Sequence, residues 1–208
     1  MTNIPGEWLE KAITEGHITY LEFDKFTNPV VIGQGGFGKV IKYEWKGSEL
    51  TVALKSLRVD RVDTSIDEKS IKSFIHELKL LRRVCSHPNF IAFHGITKDS
   101  YKQYNMVLQY ADEGTLREYL KKKFNHMLWT DKLSIAIEIA HGILFLHDNN
   151  IIHQDLHSKN ILIHQGKPKI ADFGLSKDGT SIDTSSSATH GMLAYIDPRC
   201  CFDNKYKH

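Results

Sequence analysis

The stretch His153-Gln154-Asp155-Leu156-His157-Ser158-Lys159-Asn160 runs into Ile161-Leu162-Ile163, through His164-Gln165-Gly166-Lys167-Pro168, into Lys169-Ile170-Ala171 and on to Asp172-Phe173-Gly174. Ile161-Leu162-Ile163 and Lys169-Ile170-Ala171 read as short strands, and the segment between them carries Gly and Pro. The pattern predicts a β-hairpin. Asn160 and Asp172 are equally far from Gly166, so pairing brings both to the same open end. Two oxygen-bearing side chains converge there, a site for a hard divalent cation such as Mg²⁺ when phosphate oxygens supply other ligands. Asp155, five positions before Asn160, reaches the same place.

Upstream, Gly33-Gln34-Gly35-Gly36-Phe37-Gly38 fits G-x-G-x-x-G, a pattern shared by dinucleotide folds and glycine-rich turns. The residues just after Gly38 separate the two. Lys39-Val40-Ile41-Lys42-Tyr43-Glu44-Trp45 alternates as a strand, where a dinucleotide fold would start a helix. The loop therefore reads as a hairpin tip whose bare backbone can approach a polyphosphate and offer its N–H groups. In Thr51-Val52-Ala53-Leu54-Lys55, side chains alternate faces, so Ala53 and Lys55 project together about 7 Å apart. A small residue beside a cation suits a base plus a phosphate. Ile71, Phe74, Ile75, Leu78, Leu81 and Val84 recur at helical spacing, and Glu77 falls among them on the apolar face. A carboxylate there needs a partner, and Lys55 is the natural one; a solvated helix margin is the alternative.

The rest of the chain sets the frame. Its 208 residues fit one domain or two small ones, and 41% hydrophobic with 25% charged residues excludes disordered and collagenous classes. A net charge of +2 gives no field that would favour nucleic acid or anionic lipid. Three cysteines, Cys85, Cys200 and Cys201, do not form a secreted disulfide framework, which favours a reducing, cytoplasmic setting. Neither a signal peptide nor a membrane span is expected. A short helix is predicted over Glu7–Glu15, and strands over Pro29–Ile32, Val40–Trp45, Leu50–Leu57, Ile91–Ile96 and Tyr104–Gln109. A polar loop is expected over Asp60–Glu68, and mostly helical sequence comes after Gly114, opened by a capping box of Thr115 with Glu118. A sheet-rich first half and a helix-rich second half suggest two lobes.

Four segments, in order, resemble a eukaryotic protein kinase. Gly33 to Val40 resembles the phosphate-covering loop, Val52-Ala53-Leu54-Lys55 resembles V-A-I-K, His153 to Asn160 resembles H-R-D-L-x-x-x-N, and Asp172-Phe173-Gly174 is D-F-G. The resemblance covers roughly residues 26 to 200 and is closest to the tyrosine-kinase-like group. It implies an α+β, two-lobed fold: an N-terminal extension over 1–25 with a short helix, then a kinase domain over 26–208. Its antiparallel β N-lobe, about 26–110, carries one long helix, and a mainly helical C-lobe occupies about 111–208. It further implies ATP and Mg²⁺ as cofactors and a protein substrate, phosphorylated on Ser/Thr hydroxyls with dual specificity open. Asp155 would accept or orient the hydroxyl proton, Asn160 and Asp172 would hold Mg²⁺, and Lys55 would grip the phosphates while paired to Glu77; Lys159 joins this catalytic group. Gly33, Gly35, Gly36, Phe37 and Gly38 would cover the phosphates. Ile32, Val40, Ala53 and Leu162 would sandwich adenine, with Leu108 as gatekeeper and Gln109 and Ala111 offering backbone hydrogen bonds. Leu81, Phe93, His153 and Phe173 would stack as a spine.

Departures from the pattern carry expectations of their own. Gln154 replaces the arginine of H-R-D, so phosphorylation of the Ser/Thr cluster from Thr180 to Thr189 is expected to matter less. His157 stands where a Ser/Thr kinase usually has lysine, and Met192 and Asp197-Pro198-Arg199 replace a usual threonine and A-P-E. The chain ends at His208, before the helices that complete the family's C-lobe; an incomplete C-lobe, covered by signalling partners and weakening the chain's own activity, is expected. The rival reading is an ATP-binding pseudokinase or kinase fragment acting as a signalling interaction module. His153 and His157 also make an H-x-x-x-H spacing, but no glutamate base accompanies it as in a zinc hydrolase.

Overall fold

The structure, a computed structural model, describes residues 5–35, 38–56, 68–179 and 193–195. They form two units. The first comprises Met1–Cys85 and Ala92–Tyr110, and the second Ser86–Ile91 and Ala111–His208.

In the first unit, helix α1 (Pro5–Thr14) precedes strands β1 (Phe26–Gly35), β2 (Gly38–Trp45) and β3 (Leu50–Ser56), then helix α2 (Glu68–Val84) and strands β4 (Phe93–Lys98) and β5 (Tyr104–Gln109). All pairings are antiparallel, in the order β1-β2-β3-β5-β4. The β1–β2–β3 meander expected from the sequence is present, but β5, not β4, lies beside β3. β4 starts two residues later than its apolar run suggests, because Ile91 instead donates its N–H to Ile170. One face of the sheet buries Phe26, Tyr43, Val52, Leu54 and Val107, with Phe23 and Trp45 packed against them. Each fully buried side chain of this size contributes about 1.5–3 kcal/mol. α2 buries Phe74, Ile75, Leu78, Leu81 and Val84 of the stripe its spacing predicts; Ile71 is only half-buried, and Leu80, outside that stripe, is buried as well.

In the second unit, α3 (Leu116–Lys123) starts at the expected box: Glu118 N–H donates to Thr115 Oγ1 at 3.2 Å, and Thr115 N–H donates to Glu118 Oε2 at 3.0 Å. α4 (Trp129–Asp148) comes next, and then β6 (Ile151–Ile152), β7 (Ile161–His164), β8 (Lys167–Ile170) and β9 (Lys177–Asp178). β7 and β8 form the predicted hairpin, and β6 pairs with β9. Leu116, Ile135, Ile161 and Ile163 make a core under this hairpin, while Trp129, Leu133, Ile137 and Leu144 of α4 are exposed. Among the described residues no helix is long and apolar enough to cross a membrane. The expected polar loop apart from Glu68, the Ser/Thr cluster, Met192, Asp197-Pro198-Arg199, Cys200 and Cys201 lie outside the described residues.

Gly95 carries a testable constraint. Its φ is +151°, and a Cβ there would stand 2.4 Å from the Thr19 carbonyl oxygen, which itself accepts from Ile96 N–H at 2.9 Å. Gly95→Ala is therefore expected to lower unfolding stability by more than about 1 kcal/mol, measured by urea denaturation; an unchanged midpoint would contradict the close approach.

Candidate active site

In the first unit, β1 and β2 run antiparallel on both sides of the glycine loop, which makes it a hairpin tip as its sequence predicts. Gly33 pairs with Val40, and Gly35 with Gly38. Gly38 has φ +113°, and a Cβ on it would lie 2.8 Å from the Ser56 carbonyl oxygen, so no side chain fits there. Gly36 and Phe37 lie outside the described residues. Ile32 is exposed. The ladder sets Val40 opposite Lys55, and Ala53 between Lys42 and Leu108. At the end of β5, Gln109 N–H donates to the Ala92 carbonyl at 2.9 Å, and its side-chain oxygen accepts from Ala92 N–H at 3.4 Å.

Lys55 and Glu77 meet. Lys55 Nζ lies 2.5 Å from Glu77 Oε1, with side chains only 10% and 12% exposed. The solvated-margin alternative for Glu77 is thereby excluded: its carboxylate is turned into the unit and neutralised there. Leu81 is buried on the same helix, and Phe93 is half-buried at the start of β4.

In the second unit, β7 and β8 are joined through Gln165 and Gly166, both with positive φ, as a two-residue hairpin turn requires. This centres the hairpin half a residue earlier than Gly166 itself. Asn160 consequently faces Ala171, whose N–H donates to the Asn160 carbonyl at 2.9 Å, and Asp172 is the next residue on, at φ +66°. Asp172 Oδ1 accepts from Gly174 N–H at 3.3 Å. Asp155 is buried, and Asn160 Nδ2 donates to both its carbonyl oxygen at 2.8 Å and its Oδ2 at 2.9 Å. These two acceptors fix the amide of Asn160, leaving its oxygen directed away from Asp155. Hard oxygen donors at Asn160 and Asp172 fit Mg²⁺, which takes few protein ligands and keeps phosphate or water oxygens. Among the described residues no group of three or more His, Cys, Asp or Glu forms a self-sufficient metal site.

Both histidines of the loop are occupied structurally. His153 Nδ1 accepts from Asp155 N–H at 3.4 Å and its Nε2 meets the Ala171 carbonyl at 3.1 Å, which defines a neutral ring with its proton on Nε2. Burial pushes its pKa below the ordinary histidine value, against the opposing pull of the Ala171 carbonyl and the Asp172 and Asp155 carboxylates. His157 Nδ1 accepts from Lys159 N–H at 3.3 Å and Asn160 N–H at 3.2 Å, and its Nε2 faces Asp155 Oδ1 at 3.7 Å. Neither ring is arranged as a zinc ligand. Lys159 is exposed, and no hydrogen bond or ion pair among the described residues ties its side chain to Asp155. Leu162 is half-buried in β7, and Ala111 is buried.

His153 and Phe173 stack with ring centroids 5.2 Å apart. Phe90, 6.0 Å from Phe173, completes this cluster; nothing in its linear context marks it. Nor does any sequence signal mark the meeting of Arg117 and Ser158 with the Tyr195 hydroxyl, at 3.1 and 3.3 Å, or the Tyr195 ring against His157.

The first unit carries a glycine hairpin and a buried lysine–glutamate pair, and the second an Asp–Asn loop leading into an Asp-Phe-Gly turn, the pattern of a protein kinase domain. Residues 26–208 match the family described as protein tyrosine and serine/threonine kinase, and the chain belongs to it. It is 36% identical over 194 residues, 89% of the chain, to a putative leucine-rich repeat receptor-like serine/threonine-protein kinase of Arabidopsis thaliana. It is 35% identical over 175 residues, 80% of the chain, to a leaf rust 10 disease-resistance locus receptor-like protein kinase-like protein of the same plant. The chain spans 21% and 25% of those relatives' lengths.

Removing one partner of a buried ion pair leaves an uncompensated charge, typically a loss of about 3–5 kcal/mol, whereas an apolar replacement of both is far milder. Glu77→Ala is expected to destabilise by about that amount, and Lys55→Met with Glu77→Leu to recover most of it, measured by chemical denaturation. Equal losses in both would show that the pair carries no such charge coupling.

His153 gives a pH signature. Its folded pKa is lowered, so its contribution is complete above 6.5, the ordinary value, and is lost as pH falls below that toward the folded value, because the unfolded ring takes up a proton first. Between about pH 7.5 and 5.5 the urea midpoint should fall, and His153→Phe should reduce that fall. His87 and His94, also lowered by desolvation, leave a residual slope.

Proposed function

We propose that this domain transfers the γ-phosphate of ATP to Ser/Thr hydroxyls of protein substrates. The observation that carries the reading is the clamp on Asp155: Asn160 Nδ2 holds its Oδ2 and its carbonyl together, so a buried carboxylate is presented in one orientation. In that role Asp155 would orient the acceptor hydroxyl and take its proton as the new P–O bond forms and the bond from the γ-phosphorus to the β–γ bridging oxygen breaks, ADP leaving. Asn160 and Asp172 hold Mg²⁺, which when bound neutralises charge on the phosphates. Lys55, kept in place by Glu77, binds the phosphates, and the backbone N–H groups of the glycine loop cover them. On the first unit, Val40 and Ala53 would offer the base an apolar surface, with Gln109 a backbone hydrogen-bonding group; Leu162 and Ala111 have the corresponding roles in the resemblance. Gln154 supplies no cation where the family's arginine stands, and the exposed Lys159 is not tied to Asp155, so transfer relies on positioning of Asp155. A cytoplasmic setting belongs to the same proposal, supported by the cysteine pattern.

Mg·ATP at about 100 times its Kd is expected to stabilise the folded chain by roughly 2.7 kcal/mol, with a smaller thermal shift in Lys55→Met and Asp172→Asn. Asp155→Asn should keep the shift but lower kcat toward a generic protein substrate by roughly 10²–10⁴, with phosphoamino-acid analysis identifying the acceptor. Equal shifts in all variants would remove the nucleotide assignment. Binding without turnover in the wild type would instead support the interaction-module reading.

A further inference from the structure

The family match begins at Phe26, yet the residues before it are built into the first unit. α1 packs against α2, with Leu9 and Ala12, three positions apart on one helix face, both buried. Lys79 Nζ sits over the Trp8 ring, 4.5 Å from its centroid. Lys79 lies two positions after Glu77, about 200° around the helix, so α2 is held on nearly opposite sides: by β3 through Glu77 and by α1 through Lys79.

The other side of α1 is anchored to the sheet. Glu10 accepts from Lys98 Nζ at 2.6 Å and from the Tyr104 hydroxyl, while Lys98 lies over the Tyr104 ring at 4.5 Å. Burial, with the Glu10 bond next, pushes the Tyr104 pKa up to about 12, so this hydroxyl stays a donor. The chain after α1 buries Ile18 and docks along β4: Ile96 N–H donates to Thr19 O at 2.9 Å, and Leu21 N–H donates to Ile96 O at 2.8 Å. Tyr20 therefore pairs with Ile96, Ile96 with Met106, and Met106 with Lys55. A single line of backbone pairing runs from Tyr20 to Lys55. The circuit closes through α1, α2 and Glu77 back to Lys55.

We propose that α1 and residues 18–21 are a positioning element for the Lys55–Glu77 pair, clamping α2 from the side away from Lys55. Formation of the pair, and nucleotide binding with it, then depends on a segment outside the matched domain. The nucleotide part rests on the function proposed above.

The test uses the full chain carrying Trp8→Ala, Trp8→Phe, Glu77→Gln, or Trp8→Ala with Glu77→Gln. Mg·ATP affinity is measured by calorimetry, and amide exchange over residues 70–84 is compared with that over 129–148. Trp8→Ala is expected to weaken Mg·ATP by roughly 3–10-fold and to speed exchange in α2 but not in α4. Trp8→Phe restores most of the affinity, since it keeps a ring under Lys79. In the Glu77→Gln background, Trp8→Ala adds no further loss, because both act through one contact. An unchanged affinity in Trp8→Ala, an additive loss in the double variant, or failure of Phe to rescue overturns the proposal. Glu10→Ala, which removes the acceptor for Lys98 and Tyr104, gives the same test in milder form if Trp8→Ala does not fold. If the wild type itself binds no Mg·ATP, the proposed function fails, and α2 exchange decides for the clamp: faster exchange in Trp8→Ala, reversed by Phe, supports it, and unchanged exchange overturns it.

Discussion

The ion pair between Lys55 and Glu77 is the constraint on which the first unit depends. Withdrawing two opposite charges from water costs several kcal/mol per ion, and only close, well-directed contact offsets that. At 2.5 Å with both side chains almost wholly buried, the pair tolerates little movement of β3 relative to α2. This is why an acid appears on the otherwise apolar face of a helix, and why that helix needs support on its outer side. An apolar pair would hold the two elements together at least as well. Retaining charge there is understandable if Lys55 must also meet a phosphate.

The second unit solves a similar problem with backbone groups instead of a buried ion pair. Asp155 is fixed by the Asn160 amide, the N–H groups of Asn160 and Lys159 are capped by Nδ1 of His157, and His153 joins the Asp155 N–H to the Ala171 carbonyl. Each histidine spends one ring nitrogen as acceptor for backbone N–H groups, which fixes where the other proton lies. Gln154 and Asp172, with φ of +62° and +66°, sit in the left-handed region that costs a non-glycine residue on the order of 1–3 kcal/mol. Such strain on both sides of the Asp155–Asn160 clamp is what a site held for geometry, and not for stability, is expected to show.

Much of this was legible in the sequence because the deciding signals are local. The period of α2 placed Glu77 inward, the alternation after Gly38 distinguished a hairpin tip from a helix start, and the turn around Gly166 brought Asn160 and Asp172 to one end. The half-residue offset of that turn was not legible, since register depends on which two residues take positive φ. Nor was the position of β5 beside β3, a choice made by packing across the sheet.

By itself the sequence determined the β1–β2–β3 meander, α2, the β7–β8 hairpin and the chemistry carried by each motif, because hydrophobic period acts over a few residues; it offered Lys55 as the partner of Glu77 but left a solvated margin open until the structure joined them. Tertiary structure decided contacts between groups far apart in the chain: Phe90 against Phe173, Tyr195 against Arg117 and His157, and Trp8 against Lys79. No periodicity announces these contacts. Each exists only because two separately formed surfaces have complementary shape or charge, and that complementarity appears only once the backbone has placed them side by side.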